Sequence, residues 1–259
     1  MIPYFVQNPV SYISFRALRD AYLTFDIEIS FKPETTDGML IYNGQTVGQN
    51  VQVSGDFLSF GMSNGRAEFR YNMGSGAAII RSAAPLELGQ WHTVVLHRNR
   101  IQGSMIVDGQ VPVNGTSLGR FQGLDLTDNL YLGGFPEDAV IAKASGFTKG
   151  FIGCVSRLKI SGLPVDIGSS AKSVVGVLDC PVCQHAPCQN GGTCREASTE
   201  YGYRCSCPAG YTGRTCQDIG ESCYPGVCGA GRCVKNAGPS GFHCICPIGT
   251  VGERCETGM

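Results

Sequence analysis

The chain has 259 residues and a formal net charge of −1, split evenly along its length, which excludes the strongly basic face of a nucleic-acid binder. No apolar run approaches the roughly 18–20 residues of a membrane span. All fourteen cysteines fall within residues 154–259, so the first part must rest on a hydrophobic core and the last on covalent staples formed in an oxidising compartment.

The first residues, MIPYFVQNPVSYISF, are aromatic and interrupted by Pro3 and Pro9, unlike a signal peptide. A disulfide-rich chain with such a start reads as a segment of a longer secreted protein. In DAYLTFDIEISFKP, Leu23, Phe25, Ile27, Ile29 and Phe31 form one face and Tyr22, Thr24, Asp26, Glu28 and Ser30 the other, which predicts a half-buried strand over 20–33. Asp37-Gly38 marks a turn, and MLIYNG the next strand.

In GDFLSFGMSNGRAEFRYNMG, Leu58, Phe60 and Met62 alternate with polar or small residues, and Ala67, Phe69 and Tyr71 do the same beyond Asn64-Gly65. That pair between two alternating runs predicts a hairpin, because a type I′ turn needs positive φ at both central positions. A two-residue loop pairs Ser63 with Arg66 and places Asp56 opposite Met73. A carboxylate and a main-chain carbonyl then meet at the hairpin's open end, the oxygen mixture that hard cations such as Ca²⁺ use. The plainer alternative is an Asp that simply starts a strand.

Gly76–Arg81 reads as a short strand and Pro85–Gln90 as a connection. WHTVVLHRNR is another alternating run, with Trp91 assigned to the core and His92 to the strand exterior. A hairpin over Ser104–Val113 turns at Asp108-Gly109. LYLGGF and FIGCVSRLKISGLPV follow. Arg66, Arg70, Arg81, Arg98, Arg100 and Arg120 read as solvated strand faces, with a local basic rim as the sharper option. Many short strands without a capped helical period predict an all-β antiparallel sandwich or jelly roll.

DGMLIYNG, GDFLSFGMSNGRAEFRYNMGSG, GQWHTVVLHR, LYLGG, GFIGCVSRLKISG and a closing Cys180 together resemble a laminin G-like domain over residues 1–180. The resemblance implies a curved two-sheet sandwich and a disulfide from Cys154 to Cys180. Two six-cysteine repeats, each ending C-x-C-x-x-G-x-x-G-x-x-C, resemble EGF-like modules at 181–217 and 218–259. Spacing alone leaves fifteen pairings per repeat. The EGF resemblance implies Cys183–Cys194, Cys188–Cys205 and Cys207–Cys216, then Cys223–Cys233, Cys228–Cys244 and Cys246–Cys255. A zinc or redox reading of Cys180-Pro-Val-Cys183 is weaker, since the two cysteines straddle a domain boundary and each has a better partner elsewhere.

Laminin G-like domains often hold one Ca²⁺ at the sandwich rim with two acidic side chains and two main-chain carbonyls. Carried over by position, the ligands are Asp56 with the Met73 carbonyl, and Asp125 in GLDLTDN with the Gly123 carbonyl; Asp128 is the backup. The EGF-like modules do not carry the acidic run of calcium-binding modules: Asp218-Ile219-Gly220-Glu221 keeps only part of it. The sequon Asn114-Gly115-Thr116 in an expected loop, Thr193 in CQNGGTC and Thr212 in CPAGYTG are the expected glycosylation acceptors. His92 and His97, five apart in one strand, fall on opposite faces, and no catalytic motif occurs, so no enzyme is expected.

The family resemblance implies a secreted basement-membrane or extracellular-matrix glycoprotein of the proteoglycan type. The implied partners are a cell-surface receptor such as dystroglycan or an integrin, acidic glycans and other matrix proteins, without nucleic acid or membrane insertion. The alternative is a structural spacer between other laminin G domains, with no ligand of its own.

Overall fold

The computed structural model describes residues 2–7, 10–18, 20–45, 55–183, 187–197, 199–208, 210–219, 223, 226–235 and 242–258. They form two compact units. One comprises Met1–Val182 with Glu196–Gly202, the other Cys183–Arg195 with Tyr203–Met259.

The strands of the first unit are β1 (Pro3–Phe5), β2 (Tyr12–Phe15), β3 (Thr24–Pro33), β4 (Gly38–Gly44), β5 (Phe57–Ser63), β6 (Arg66–Asn72), β7 (Ala78–Arg81), β8 (His92–Asn99), β9 (Gln102–Val107), β10 (Val113–Thr116), β11 (Leu130–Leu132), β12 (Gly153–Ile160), β13 (Leu163–Pro164), β14 (Ser173–Val175) and β15 (Leu178–Asp179). One sheet runs β10-β9-β8-β3-β12-β1-β15, with β13 beside β12; the other runs β14-β2-β11-β4-β5-β6-β7. Every strand pairing described in this unit is antiparallel.

The two inner faces make one core. Phe25, Ile27, Ile29 and Phe31 on β3 meet Phe60 and Phe69 on β5 and β6, with edge-to-face ring pairs Phe31–Phe60 at 5.8 Å and Phe25–Phe69 at 6.1 Å. The alternation breaks at two bulges that period-two reading does not anticipate. In β4 the register shifts between Met39 and Ile41, so Leu40 and Ile41 both face the core while Met39 and Tyr42 face outward. In β12 the shift between Val155 and Arg157 turns both Val155 and Leu158 inward.

A second, smaller cluster lies on the outer face of the β4–β5 pair. Met39, Tyr42, Phe57 and Phe147 pack there with Phe135, Ile141 and Ala144 from the connection after β11. Gly61 in mid-β5 makes room for it, since a Cβ there would stand 2.9 Å from the Phe147 ring. This cover explains why every residue of β4 is buried.

The β5–β6 hairpin has the expected register, with Ser63 opposite Arg66 and Phe57 opposite Asn72. Asn64 (φ 50°) and Gly65 (φ 75°) are both left-handed, as a type I′ turn requires. A Cβ at Gly65 would meet nothing closer than 3.8 Å, so its substitution costs only backbone strain. Gly65→Ala is expected to lower stability by about 1–2 kcal/mol, read as a shifted urea midpoint at unchanged slope.

Three expectations are corrected. The inward phase of β8 falls on His92, Val94, Leu96 and Arg98, so His92 is buried and Trp91, one residue ahead of the strand, is only half-buried beneath the Lys32 ammonium at 5.8 Å. Leu23 precedes β3 rather than joining its core face and is exposed. Asn114 sits not in a loop but on the edge strand β10, with its residue exposed.

In the second unit, Tyr211–Thr212 pairs with Asp218–Ile219, Arg232–Lys235 with Phe242–Ile245, and Thr250–Val251 with Thr257–Gly258. The structure joins Cys154 to Cys180, Cys183 to Cys194, Cys188 to Cys205, Cys207 to Cys216, Cys223 to Cys233, Cys228 to Cys244 and Cys246 to Cys255. The only buried apolar or cysteine side chains described in this unit are Cys216, Val227, Cys228 and Cys255, so the cystines largely stand in for a core.

Candidate metal centre

At the open end of the β5–β6 hairpin, Asp56 lies one residue before β5 and Met73 one residue after β6, beyond the last ladder pair Phe57–Asn72. The Asn72 side chain shapes the loop that follows, accepting hydrogen bonds from the amides of Gly74 (3.0 Å) and Gly76 (3.1 Å). This turn lays Gly74 against the Asp56 carboxylate; a Cβ on Gly74 would stand 3.7 Å from Oδ1. On the other side the Asp56 carbonyl accepts the Gln45 amide at 2.9 Å.

The second acid comes from the segment before β11. Leu124 and Leu126 are buried and anchor it, which leaves Asp125 between them facing solvent. The Leu124 amide donates to the Tyr22 carbonyl at 2.8 Å, and the Thr127 and Asp128 amides donate to the Gly44 carbonyl at 3.1 and 2.9 Å. The Asp125 amide donates to Asp56 Oδ2 at 2.8 Å, closing the distance between residues sixty-nine apart in sequence.

Asp56 and Asp125 therefore meet at one rim, with Met73 across the hairpin end from Asp56 and Gly123 two residues ahead of Asp125. Burial is the main influence that pushes the Asp56 carboxyl above its ordinary value. The Asp125 amide pulls it down, the Asp125 charge pushes it up, and the Arg98 guanidinium pulls it down again. A half-buried carboxylate that keeps its remaining lone pairs next to a second carboxylate is chemically suited to a hard cation. Two acids are the whole acidic donor set: among the described residues no group of three or more His, Cys, Asp or Glu gathers that could hold a metal. Asp128, the backup ligand, instead belongs to the lining of a separate polar cleft with Tyr42, Asn129, Tyr131 and Asp138.

The arginines divide differently from expectation. Arg66 caps the carbonyls of Ser82 and Ala83, and Arg70 and Arg81 clamp the fully buried Glu68. Arg98 is itself fully buried, under the rim, and is the site residue that sequence reasoning missed. Its signal was phase: Val94 and Leu96 point inward, so Arg98 must too. Of the six, Arg81, Arg100 and Arg120 are exposed, and Arg81 is already committed to Glu68, which leaves Arg100 and Arg120 as the exposed pair without that engagement. The Arg100 amide donates to the Leu23 carbonyl beside Tyr22, and Arg120 lies three residues before Gly123.

Asn114, Thr193 and Thr212 are all exposed, as glycan acceptors must be. Gly220 and Glu221 lie outside the described residues. Both ring nitrogens of His92 are engaged, Nδ1 with Asp108 Oδ2 at 2.7 Å and Nε2 with the Glu87 carbonyl at 2.9 Å, whereas His97 pairs with Asp26 on the outer face.

Residues 31–166 match the family model for the laminin G domain, and residues 202–221 match that for the complement Clr-like EGF-like module. The module order and runs such as PVNGTSLGRFQGLDL resemble perlecan, with agrin and pikachurin as competitors. The chain is 49% identical over 214 residues to the basement membrane-specific heparan sulfate proteoglycan core protein of Mus musculus, covering 82% of this chain and 6% of that protein. It is 38% identical over 214 residues to pikachurin of Bos taurus, covering 80% of this chain and 20% of that protein. Among solved structures, domains LG4-5 of the mouse laminin alpha1 chain superpose with a TM-score of 0.60 at 25% identity, covering 68% of this chain and 46% of that one. The chain thus spans a small fraction of the curated relatives it matches.

Proposed function

The chain belongs to the laminin G domain family, and from that premise we propose that it is an extracellular-matrix adhesion segment whose laminin G unit grips a cell-surface receptor or matrix glycan through one Ca²⁺ held by Asp56, Asp125 and the Met73 and Gly123 carbonyls. The observation that carries this reading is the Asp125 amide bonded to Asp56 Oδ2, which gathers two acids from distant segments at one exposed rim. Two carboxylates would neutralise the ion and leave coordination positions for a ligand's acidic group. Arg100 and Arg120, the exposed guanidiniums on neighbouring segments, would add charge-assisted hydrogen bonds to the same group. A dystroglycan-type acidic glycan or an integrin supplies such chemistry. The EGF-like modules act as spacers. His92, with both nitrogens occupied, offers no free base, which supports a binding module over a catalyst.

The test is receptor-ectodomain and acidic-glycan binding measured in calcium and in excess chelator. Binding is expected to fall at least tenfold on chelation. Binding that persists unchanged in chelator would sink the calcium reading and leave a receptor site elsewhere; no binding in either condition would favour the spacer.

A further inference from the structure

We infer that Arg98 is the positioning residue of this metal centre, a buried cross-tie that holds the donor-bearing segments in place before any ion arrives. The inference rests on the calcium reading above for its ligand, but not for its geometry. Arg98 ends the inward row of β8 and is 0% exposed. Its Nη1 donates to the carbonyls of Ala21 (3.1 Å) and Tyr22 (3.2 Å). Its Nη2 donates to the Gln122 carbonyl at 2.6 Å and to Met73 Sδ at 2.8 Å. The four Nη hydrogens thus reach three segments that are far apart in sequence.

Two of those segments carry the main-chain donors. Met73 is gripped through its own side chain. The Gln122 carbonyl belongs to the planar peptide that ends at the Gly123 Cα, so holding that oxygen fixes the approach of Gly123. The third segment, through the Tyr22 carbonyl, also receives the Leu124 amide, next to Asp125. Beneath the guanidinium the rings of Phe25 (6.0 Å) and Tyr71 (5.7 Å) shield it from water. Nε has no hydrogen-bond partner, so this group is retained for what its Nη atoms span. A lysine would keep the charge, but its single ammonium cannot bridge three separated segments in a fixed plane.

The experiment compares wild type, Arg98→Lys and Arg98→Met. Amide exchange in chelator is read by mass spectrometry, and Ca²⁺ alone is titrated by calorimetry. Both variants are expected to exchange at least tenfold faster over residues 21–23, 73–76 and 120–126, with β3 and β12 unchanged, and to bind Ca²⁺ at least tenfold more weakly. Uniformly faster exchange throughout the sandwich with unaltered calcium affinity in the folded fraction would reduce Arg98 to an ordinary core residue and overturn the inference. So would tighter calcium binding by Arg98→Met, which would make the guanidinium a repelling charge rather than a tie.

If neither variant folds, wild type alone decides. Its three segments are expected to be protected already in chelator and to change less than threefold on adding Ca²⁺, whereas a tenfold ordering by the ion overturns preorganisation. A wild type that takes up no Ca²⁺ sinks the proposed function and the metal part of this inference. The exchange comparison in chelator still answers separately whether Arg98 ties the rim.

Discussion

Under native conditions, a dithiol reductant is expected to free twelve sulfurs, unfold the C-terminal unit and leave the sandwich folded with Cys154–Cys180 intact. The reason is where each part keeps its stability. In the C-terminal unit, the described side chains of the core class that are buried are three half-cystines and Val227, and six bridges do the remaining work. Each such bridge contributes about 2–4 kcal/mol, chiefly by restricting the unfolded chain, so the joint loss of six, about 12–24 kcal/mol, is comparable to or larger than the roughly 5–15 kcal/mol by which a domain is stable. Access differs in the same sense. Every one of these six bridges has at least one partly exposed half, while Cys154 and Cys180 are both 0% exposed. The sandwich keeps the ring-to-ring core built on Phe25, Phe31, Phe60 and Phe69 whether or not that single bridge persists.

Thiol counting by alkylation and mass spectrometry, with limited trypsin digestion, checks both halves of the prediction. Cleavage is expected at Arg195, Arg204, Arg214, Arg232 and Arg254, with the segment before Cys180 resistant. Fourteen thiols appearing at one rate, or a reduced C-terminal unit that still resists trypsin, would contradict it.

What the sequence disclosed and what it hid follow from the same physics. The β5–β6 hairpin was legible to the residue because Asn64-Gly65 fixes the turn and a period of two fixes the faces. The laminin G resemblance marked Asp56 and Asp125, yet only the folded chain shows one acid's amide on the other's carboxylate. The bulges in β4 and β12 were hidden because one inserted residue leaves no mark on composition. The cover over the outer face of β4 and β5 was hidden too: FPEDAVIAKASGF has no period, and its Phe135, Ile141 and Phe147 are held by tertiary contact rather than by local pattern.

Arg98 and Glu68 were hidden for different reasons: Arg98 lies on the inward phase of β8, whereas Glu68 lies on the outward phase of β6 and is buried by the Arg70 and Arg81 side chains over it. A charged residue in a strand is expected to face water, so for Arg98 identity outweighed phase. In both cases dense satisfaction makes burial tolerable: four acceptors around Arg98, and two guanidiniums on Glu68. Trp91 and His92 were exchanged by the same preference for the more apolar residue, although the phase set by Val94 and Leu96 puts His92 inside.

Asp56→Asn is expected to abolish the rim's response to calcium, so that the variant melts at or above wild type in chelator and below it in calcium. In wild type the folded state holds the Asp56 carboxyl above its ordinary value of 3.8, through burial first and the Asp125 charge in addition. A carboxyl with a higher pKa folded than unfolded binds its proton more tightly in the folded state. Its ionisation therefore works against folding, beginning as pH rises past the unfolded value and complete above the folded one. In chelator at neutral pH, Asp56→Asn should melt at or slightly above wild type, and the difference should vanish as pH falls below the ordinary carboxylate range. The increment is small, because the group is only half-buried and solvent screens it.

Added Ca²⁺ reverses the order. An ion that binds only the folded state at one hundred times its dissociation constant stabilises by about 2.7 kcal/mol, which for a domain of this size raises Tm by about 5–10 °C. Wild type should show that rise, and Asp56→Asn, lacking a charged ligand, should show almost none. The two melting curves then cross between chelator and calcium, which a merely structural Asp56 cannot produce: if its carboxylate only capped the Asp125 amide, the Asn side-chain oxygen would still accept that bond and both proteins would respond to calcium alike. Thermal melts of the two proteins at neutral and acidic pH, each with chelator and with saturating calcium, separate these outcomes.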